Sequence, residues 1–404
     1  MTDNRFRRLP VGIQSFKVIR EENYLYVDKS DIVWNMVNLG DKYNYLSRPR
    51  RFGKSVLVDT LESYLEGRKD LFEGLKIMQL EKDWKQYPVI RLDMSRGGAN
   101  EETLRSYLNL RFKDYEEKYN ITPDPTAMLA DRFHAIIATA YKQTGLRVAV
   151  LIDEYDSPLQ HSWRTPEHEK CTGVYREVFA ILKADDEYEH FIFITGITKF
   201  TQISLFSVLN NLSNISFMPE YATICGITEE EIKENFMPEL KQMSEVNNWS
   251  VQETHDRLKA YYDGYHFSRR NMVDVYNPYS LVNALKSKEI INFWASSGAT
   301  SLLPKFVDNA ELRMKNFEHC RIMRNTLELS DVSGGGAELF LYQSGYLTIK
   351  NSDEFGYILG FPNEEVKQAL YEMALPALTL RTVTFISAVG RPYSDCLLFL
   401  RVLP

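Results

Sequence analysis

Eight residues constrain this chain more than any others. Arg48-Pro49-Arg50-Arg51-Phe52-Gly53-Lys54-Ser55 stands directly after a short apolar run and directly before an amphipathic one. A strand that turns sharply into a helix through glycine, lysine and serine predicts a phosphate-binding loop. Backbone N–H groups can curl around phosphates there, a lysine can reach the β and γ oxygens, and a hydroxyl can ligate Mg²⁺. The helix that starts at the loop would add its positive dipole end. The residues expected at such a ligand are Arg50, Arg51, Phe52, Gly53, Lys54, Ser55 and Val56. The generic pattern has glycine where this chain has Arg48, so the motif alone also admits a basic surface turn.

A second motif narrows the choice. Val148-Ala-Val-Leu-Ile-Asp-Glu-Tyr-Asp156 is an apolar run followed by paired acids, about a hundred residues after the first motif. Open α/β sheets bind ligands at the carboxyl ends of their strands. Asp153 is therefore the candidate partner of Ser55 at Mg²⁺, and Glu154 the group that orients or deprotonates water. The bland reading is that both acids merely end a core strand. Phe191 to Thr195 is a third buried run, and Thr195 at its end could sense a γ-phosphate; Thr195 or Thr198 could equally cap a turn at Gly196. Lys199 is a further candidate. Arg50 or Arg51 could serve a neighbouring subunit as an arginine finger or stand as solvated charge.

These runs belong to a larger pattern. Strands are expected at Tyr43 to Ser47, Val89 to Met94, Val148 to Ile152 and Phe191 to Thr195, with helical spacing between them, as in a parallel sheet covered by helices. The fold class expected is α/β, a phosphate-loop sheet with helices on both faces. A helical, winged-helix-like region and a mixed C-terminal segment follow. Capping patterns at Thr228/Glu231 and Ser250/Glu253 open two helices, the first running through Ile232, Phe236, Leu240 and Met243. Gly334-Gly335-Gly336 suggests a loop, and Leu339 to Lys350 reads as strand-rich. The division expected is 1–225, 226–300 and 301–404.

Composition excludes some functions. At 404 residues, 44% hydrophobic and 25% charged, the chain has ordinary globular content. Its apolar runs are far shorter than the roughly 18 residues that span a membrane. No apolar stretch follows the basic N-terminus, so a cytoplasmic location is expected. Cys171, Cys225, Cys320 and Cys396 form no close pair, which argues against a disulfide framework or thiolate metal site. A formal charge of −7 gives no general attraction to nucleic acid. The helices between Tyr221 and Ala260 carry four basic against eight acidic residues, the wrong sign for a phosphate backbone.

Longer strings then add a resemblance. YVDKS at Tyr26 to Ser30, SRPRRFGKS at Ser47 to Ser55, LIDEYDSPL at Leu151 to Leu159 and TGITKF at Thr195 to Phe200 are among them. LFSVLNNLSNIS from Leu205, YYDGYHF from Tyr261, YNPYSLVNAL from Tyr276 and QSGYLTIK from Gln343 continue the series. Together they resemble the bacterial AAA-ATPase-like family from about residue 9 to about residue 375. Arginine at the position of Arg48 is usual there. The resemblance implies adenine as the base, and a sheet in which the sensor strand lies between the two motif-bearing strands. Relatives commonly continue into a PD-(D/E)XK nuclease domain, but Glu365-Val366-Lys367 sits in a helical pattern, so nuclease activity is not carried over. From about residue 376 the resemblance stops, as a truncated or frameshifted ending, or else a natural variant ending, would produce.

The expectation is an Mg²⁺-dependent ATPase that couples nucleotide state to an unknown protein partner or to self-association, with a nucleic-acid link only through the family. The alternatives are a nucleotide-dependent switch or scaffold with negligible turnover, or an accessory factor of a nucleic-acid-processing or defence system.

Overall fold

The structure, a computed structural model, describes residues 8–124, 126–200, 211–296, 303, 307, 317–329 and 336–372. Its centre is a parallel sheet of β1 (Tyr43–Ser47), β2 (Val89–Asp93), β3 (Val148–Asp153), β4 (Glu189–Gly196) and β5 (Ser213–Asn214). The order is β2-β3-β4-β1-β5, so β4 separates the strands that end in the two motifs, as the resemblance implied. Every residue of β3 is buried, which explains its uninterrupted apolar run: a strand covered on both faces shows no alternation. Helices Lys54–Leu65, Glu101–Lys118, Leu129–Thr144 and Glu167–Phe179 lie between the strands in the chain. Parallel register pairs Leu46 with Thr195 and Asp93 with Asp153, bringing the strand ends to one edge.

Beyond the sheet, β6 (Ile227–Thr228) and β7 (Val275–Tyr276) pair antiparallel around three helices rather than two. Glu229–Asn235 opens with the full Thr228/Glu231 capping box, but it stops at Phe236 and a new helix, Met237–Asn247, begins there. The break has a local cause: Pro238 lacks the N–H that would continue the ladder and suits the first turn of a new helix. Val251–Tyr262 follows, capped by Ser250, and Pro278–Ser287 follows β7. These elements share a small core that includes Ile232, Phe236, Leu240, Leu258 and Leu281 and reaches back to Leu25.

The C-terminal residues instead join the core of the sheet, through Tyr265, Phe267, Trp294, Tyr346 and Leu347. Of the stretch read as strand-rich, the first half belongs to a helix, Gly336–Ser344, ended by Gly345 at φ 93°, and only its end enters a strand, β9 (Thr348–Ser352). All of its residues from Leu339 to Ser344 are buried, and a helix buried all round shows no amphipathic period to read. β8 (Cys320–Met323), β10 (Gly356–Gly360) and β9 form an antiparallel sheet, and residues 364–372 are helical. Gly334, Gly335, the Leu205 end of LFSVLNNLSNIS and the tail from 376 lie outside the described residues.

Candidate functional site

β1 ends at Ser47, and after six intervening residues the helix Lys54–Leu65 begins. Two left-handed residues turn the loop, Arg51 at φ 70° and Gly53 at φ 83°. Among the described residues, a Cβ built on Gly53 would meet nothing within 4 Å, so conformation rather than crowding requires glycine there. The Lys54 ammonium is buried and donates to the carbonyls of Arg48 at 2.9 Å and Pro49 at 3.0 Å. Burial pushes its pKa below the usual lysine value, and the carboxylates of Glu154 and Asp153 oppose that shift.

The acids arrive from β3. Asp153 is buried; burial pushes its carboxyl up, while the neighbouring Ser55 hydroxyl and the nearby Lys54 pull it down. Ser55 and Asp153 are thus side by side, a hydroxyl and a carboxylate suited to a hard cation such as Mg²⁺. Glu154 turns out of the strand at φ 47°, a strained value for a residue with a side chain. Its carboxyl is raised by burial first and also by Asp153, against the lowering effect of Lys54.

Several bonds hold that strain. The Tyr155 N–H donates to the Thr195 carbonyl at 3.0 Å, and the Tyr155 hydroxyl donates to the Thr198 carbonyl at 2.8 Å. Asp156 is the hub. Its Oδ2 accepts from the Ile197 N–H at 3.0 Å, the Thr198 N–H at 2.6 Å and the Thr198 hydroxyl at 2.6 Å, and from the Gln160 amide. A Cβ on Gly196 would sit 2.4 Å from Asp156 Oδ1, so this strand end admits only glycine.

Loop and acid face a cavity of about 400 Å³, within the range of small-molecule sites. Among the described residues its lining carries four cationic side chains, Lys29, Arg50, Arg51 and Lys54, against one carboxylate, Glu154. The remaining lining comes mainly from residues 10–14, 25–27, 224–227 and 278–283, and is largely apolar. The cavity is therefore cationic where the loop lies and greasy elsewhere.

The structure sorts the expected residues. Arg50, Arg51, Gly53, Lys54, Ser55, Val56 and Glu154 all line the cavity. Phe52 lines it too, but its ring is buried against Tyr265 and Phe267, which leaves its backbone for a ligand. Thr195 is corrected: it is fully buried and its hydroxyl donates to the Leu46 carbonyl at 2.8 Å, so it ties β4 to β1 and does not line the cavity. Lys199 points elsewhere, to the Glu328 carbonyl at 3.1 Å. Arg48 is no phosphate ligand either. It is buried, donates to the carbonyls of Ser47, Ser216 and Tyr221, and lies 4.1 Å over the Phe267 ring. Glu365 and Lys367 diverge, Glu365 to the N–H groups of Phe293 and Trp294 and Lys367 to Glu318. Asp156 and residues 10–14 and 224–227 were given no role in the sequence, whereas Tyr26, Val27 and residues 278–283 lie in the YVDKS and YNPYSLVNAL strings that carried the resemblance. For Asp156 a signal existed, a third acid close behind Asp153 and Glu154 at a strand end.

Residues 10–206 match the family model AAA-ATPase_like, described as predicted AAA-ATPase. Over 378 residues the chain is 32% identical to an uncharacterized protein in the vnfD 5′ region of Azotobacter chroococcum mcd 1, covering 91% of this chain and 70% of that one. The chain belongs to the AAA-ATPase-like family. ATP binding and hydrolysis are its activity in general terms. Among solved structures, this AAA-ATPase-like chain is similar at a TM-score of 0.27 to Cdc6p from Pyrobaculum aerophilum, with 10% identity over 86% of this chain and 92% of the other. The Orc1 protein of Aeropyrum pernix in complex with DNA gives the same score, with 12% identity over 84% and 89%. Likenesses so slight carry no argument for this member of the family. Among the described residues, no helix of this AAA-ATPase-like chain is long and apolar enough to cross a membrane.

Proposed function

We propose that the cavity binds Mg·ATP and that the chain hydrolyses it to ADP and phosphate. The observation that carries this reading is that Lys54, Ser55 and Glu154 line a cationic cavity opened by a helix N-terminus, with the buried Asp153 carboxyl next to Ser55 just behind that lining. In this reading the triphosphate lies over residues 50–56 and the base enters the apolar part, against Val11, Ile13, Ile227, Phe236 or Val282. Lys54 leaves the loop carbonyls for the β and γ oxygens. Ser55 and Asp153 would hold Mg²⁺, which when bound shields phosphate charge. Glu154 holds a water in line with the γ-phosphorus and takes its proton as the bond to the ADP oxygen breaks. The Asp156 hub keeps Glu154 turned toward that position. The helical region from 226 to 296 covers the site, because residues 278–283 complete the cavity wall.

Equilibrium binding of a fluorescent ATP analogue with Mg²⁺ tests this, followed by phosphate release. Lys54→Ala should lose binding, whereas Glu154→Gln should bind and fail to release phosphate. A wild-type protein that is folded by thermal melt and binds no nucleotide would sink the proposal. Wild-type binding with no turnover would favour the nucleotide-dependent switch.

A further inference from the structure

The phosphate loop is supported from behind by residues more than two hundred positions away. Phe52 sits with its ring centroid 4.7 Å from that of Tyr265 and 5.4 Å from that of Phe267, both edge to face. The guanidinium of Arg48 covers the same Phe267. The Tyr265 hydroxyl donates to the Gly345 carbonyl at 3.2 Å, and Gly345 is pressed against the loop itself. A Cβ there would lie 2.6 Å from Pro49 Cβ, and φ is 93°. Trp294 closes the group, its ring 4.9 Å from Tyr346, with Cζ2 only 3.7 Å from that same Cβ position.

The loop atoms touched from behind are those that matter in front. Pro49 and Arg48 supply the two carbonyls that hold the Lys54 ammonium, and Phe52 precedes the glycine whose left-handed conformation starts the helix. An interior packed like a crystal transmits small displacements rather than absorbing them. We infer that Tyr265, Phe267 and Gly345 are positioning residues of the nucleotide site, an aromatic cradle that fixes the phosphate loop and links its occupancy to the C-terminal half of the chain. The inference rests on the nucleotide reading above. It also gives the YYDGYHF and QSGYLTIK strings one shared task, since the first supplies the rings and the second the glycine.

The experiment uses the full chain and the same fluorescent ATP analogue with Mg²⁺, together with tryptophan emission during titration with unlabelled Mg·ATP. In Gly345→Ala the added methyl displaces Pro49, and misplacing the loop should weaken binding roughly tenfold or more in protein that is still folded. Tyr265→Leu should do the same, whereas Tyr265→Phe keeps the ring against Phe52 and should bind within about twofold of wild type. Nucleotide should change the wild-type tryptophan emission, and Trp294→Phe should remove most of that change. A purely structural role lowers the melting temperature of these variants but leaves the Kd of the folded protein unchanged. Folded Gly345→Ala and Tyr265→Leu with wild-type Kd would overturn the cradle while leaving the ATP reading intact. An emission change that persists in full in Trp294→Phe would refute the link to the C-terminal half. Wild-type protein that binds no nucleotide would refute the reading beneath it.

Discussion

Replacing Asp156 with alanine should be among the most damaging single changes outside the phosphate loop. Its Oδ2 accepts two backbone N–H groups, one hydroxyl and one amide, all in the interior. Hydrogen bonds to a charged group contribute about 1.5–3 kcal/mol each, and a buried donor left unpaired costs about 1–3 kcal/mol. These terms overlap, so a net loss of about 4 kcal/mol is expected, against a usual total of about 5–15 kcal/mol. At about 1.4 kcal/mol per decade, the unfolded fraction rises roughly a thousandfold. The carboxylate also joins the turn bearing Glu154 to the end of β4, so the surviving folded protein should release phosphate more slowly. Asp156→Asn keeps one acceptor oxygen and should lose about half as much. Urea denaturation followed by circular dichroism gives the stability change, and phosphate release under native conditions gives the second readout. A loss below about 1 kcal/mol in Asp156→Ala would refute the hub, because no arrangement of four real bonds costs so little to remove.

Two further predictions use buried charge elsewhere. Glu365 accepts from the N–H groups of Phe293 and Trp294, and burial raises its pKa from the ordinary 4.5 to about 7. The folded state therefore holds a proton the unfolded chain has released, so this contribution is complete below about pH 4.5 and is lost as the pH rises through about 7. Its full span is roughly 3 kcal/mol. Glu365→Gln should flatten that part of a stability-versus-pH curve measured by urea midpoints, and an unchanged slope would contradict the assignment. Lys29 pairs with Glu231 at 2.6 Å, with side-chain exposures of 10% and 16%, and so ties the sheet domain to the helical region at the cavity wall. Lys29→Met should cost about 2–3 kcal/mol by stranding the carboxylate, and, because Glu231 also accepts from the Thr228 N–H at 2.8 Å, Lys29→Met with Glu231→Gln, which keeps that acceptor, should recover about half. Equal losses in the single and double variants, read from denaturation midpoints, would show that the pair contributes nothing of its own.

Much of the site was legible in the residues because its chemistry is local. Gly53, Lys54 and Ser55 are adjacent, and so are Asp153 and Glu154, and each group sits where a strand pattern ends. Thr195 shows the limit of such reading. A polar residue at the end of a buried strand can face a ligand or a neighbouring strand, and only the Leu46 carbonyl beside it decides between them. The helix Gly336–Ser344 was missed for a related reason: burial on every side erases the periodicity that distinguishes helix from strand.

By itself, the sequence determined the parallel sheet, its covering helices, the turning glycine and the acid pair. Short-range propensity and strand ends encode these within a few residues. The fate of the four basic residues around the loop was decided in three dimensions. Arg48 turns inward to carbonyls from residues 216 and 221, while Arg50, Arg51 and Lys54 line the cavity. Tertiary structure alone also brought residues 10–14, 224–227 and 278–283 around one pocket and set Tyr265 and Gly345 behind Phe52 and Pro49. Contacts between such distant segments follow from how whole elements pack, and no local pattern of residue types records them.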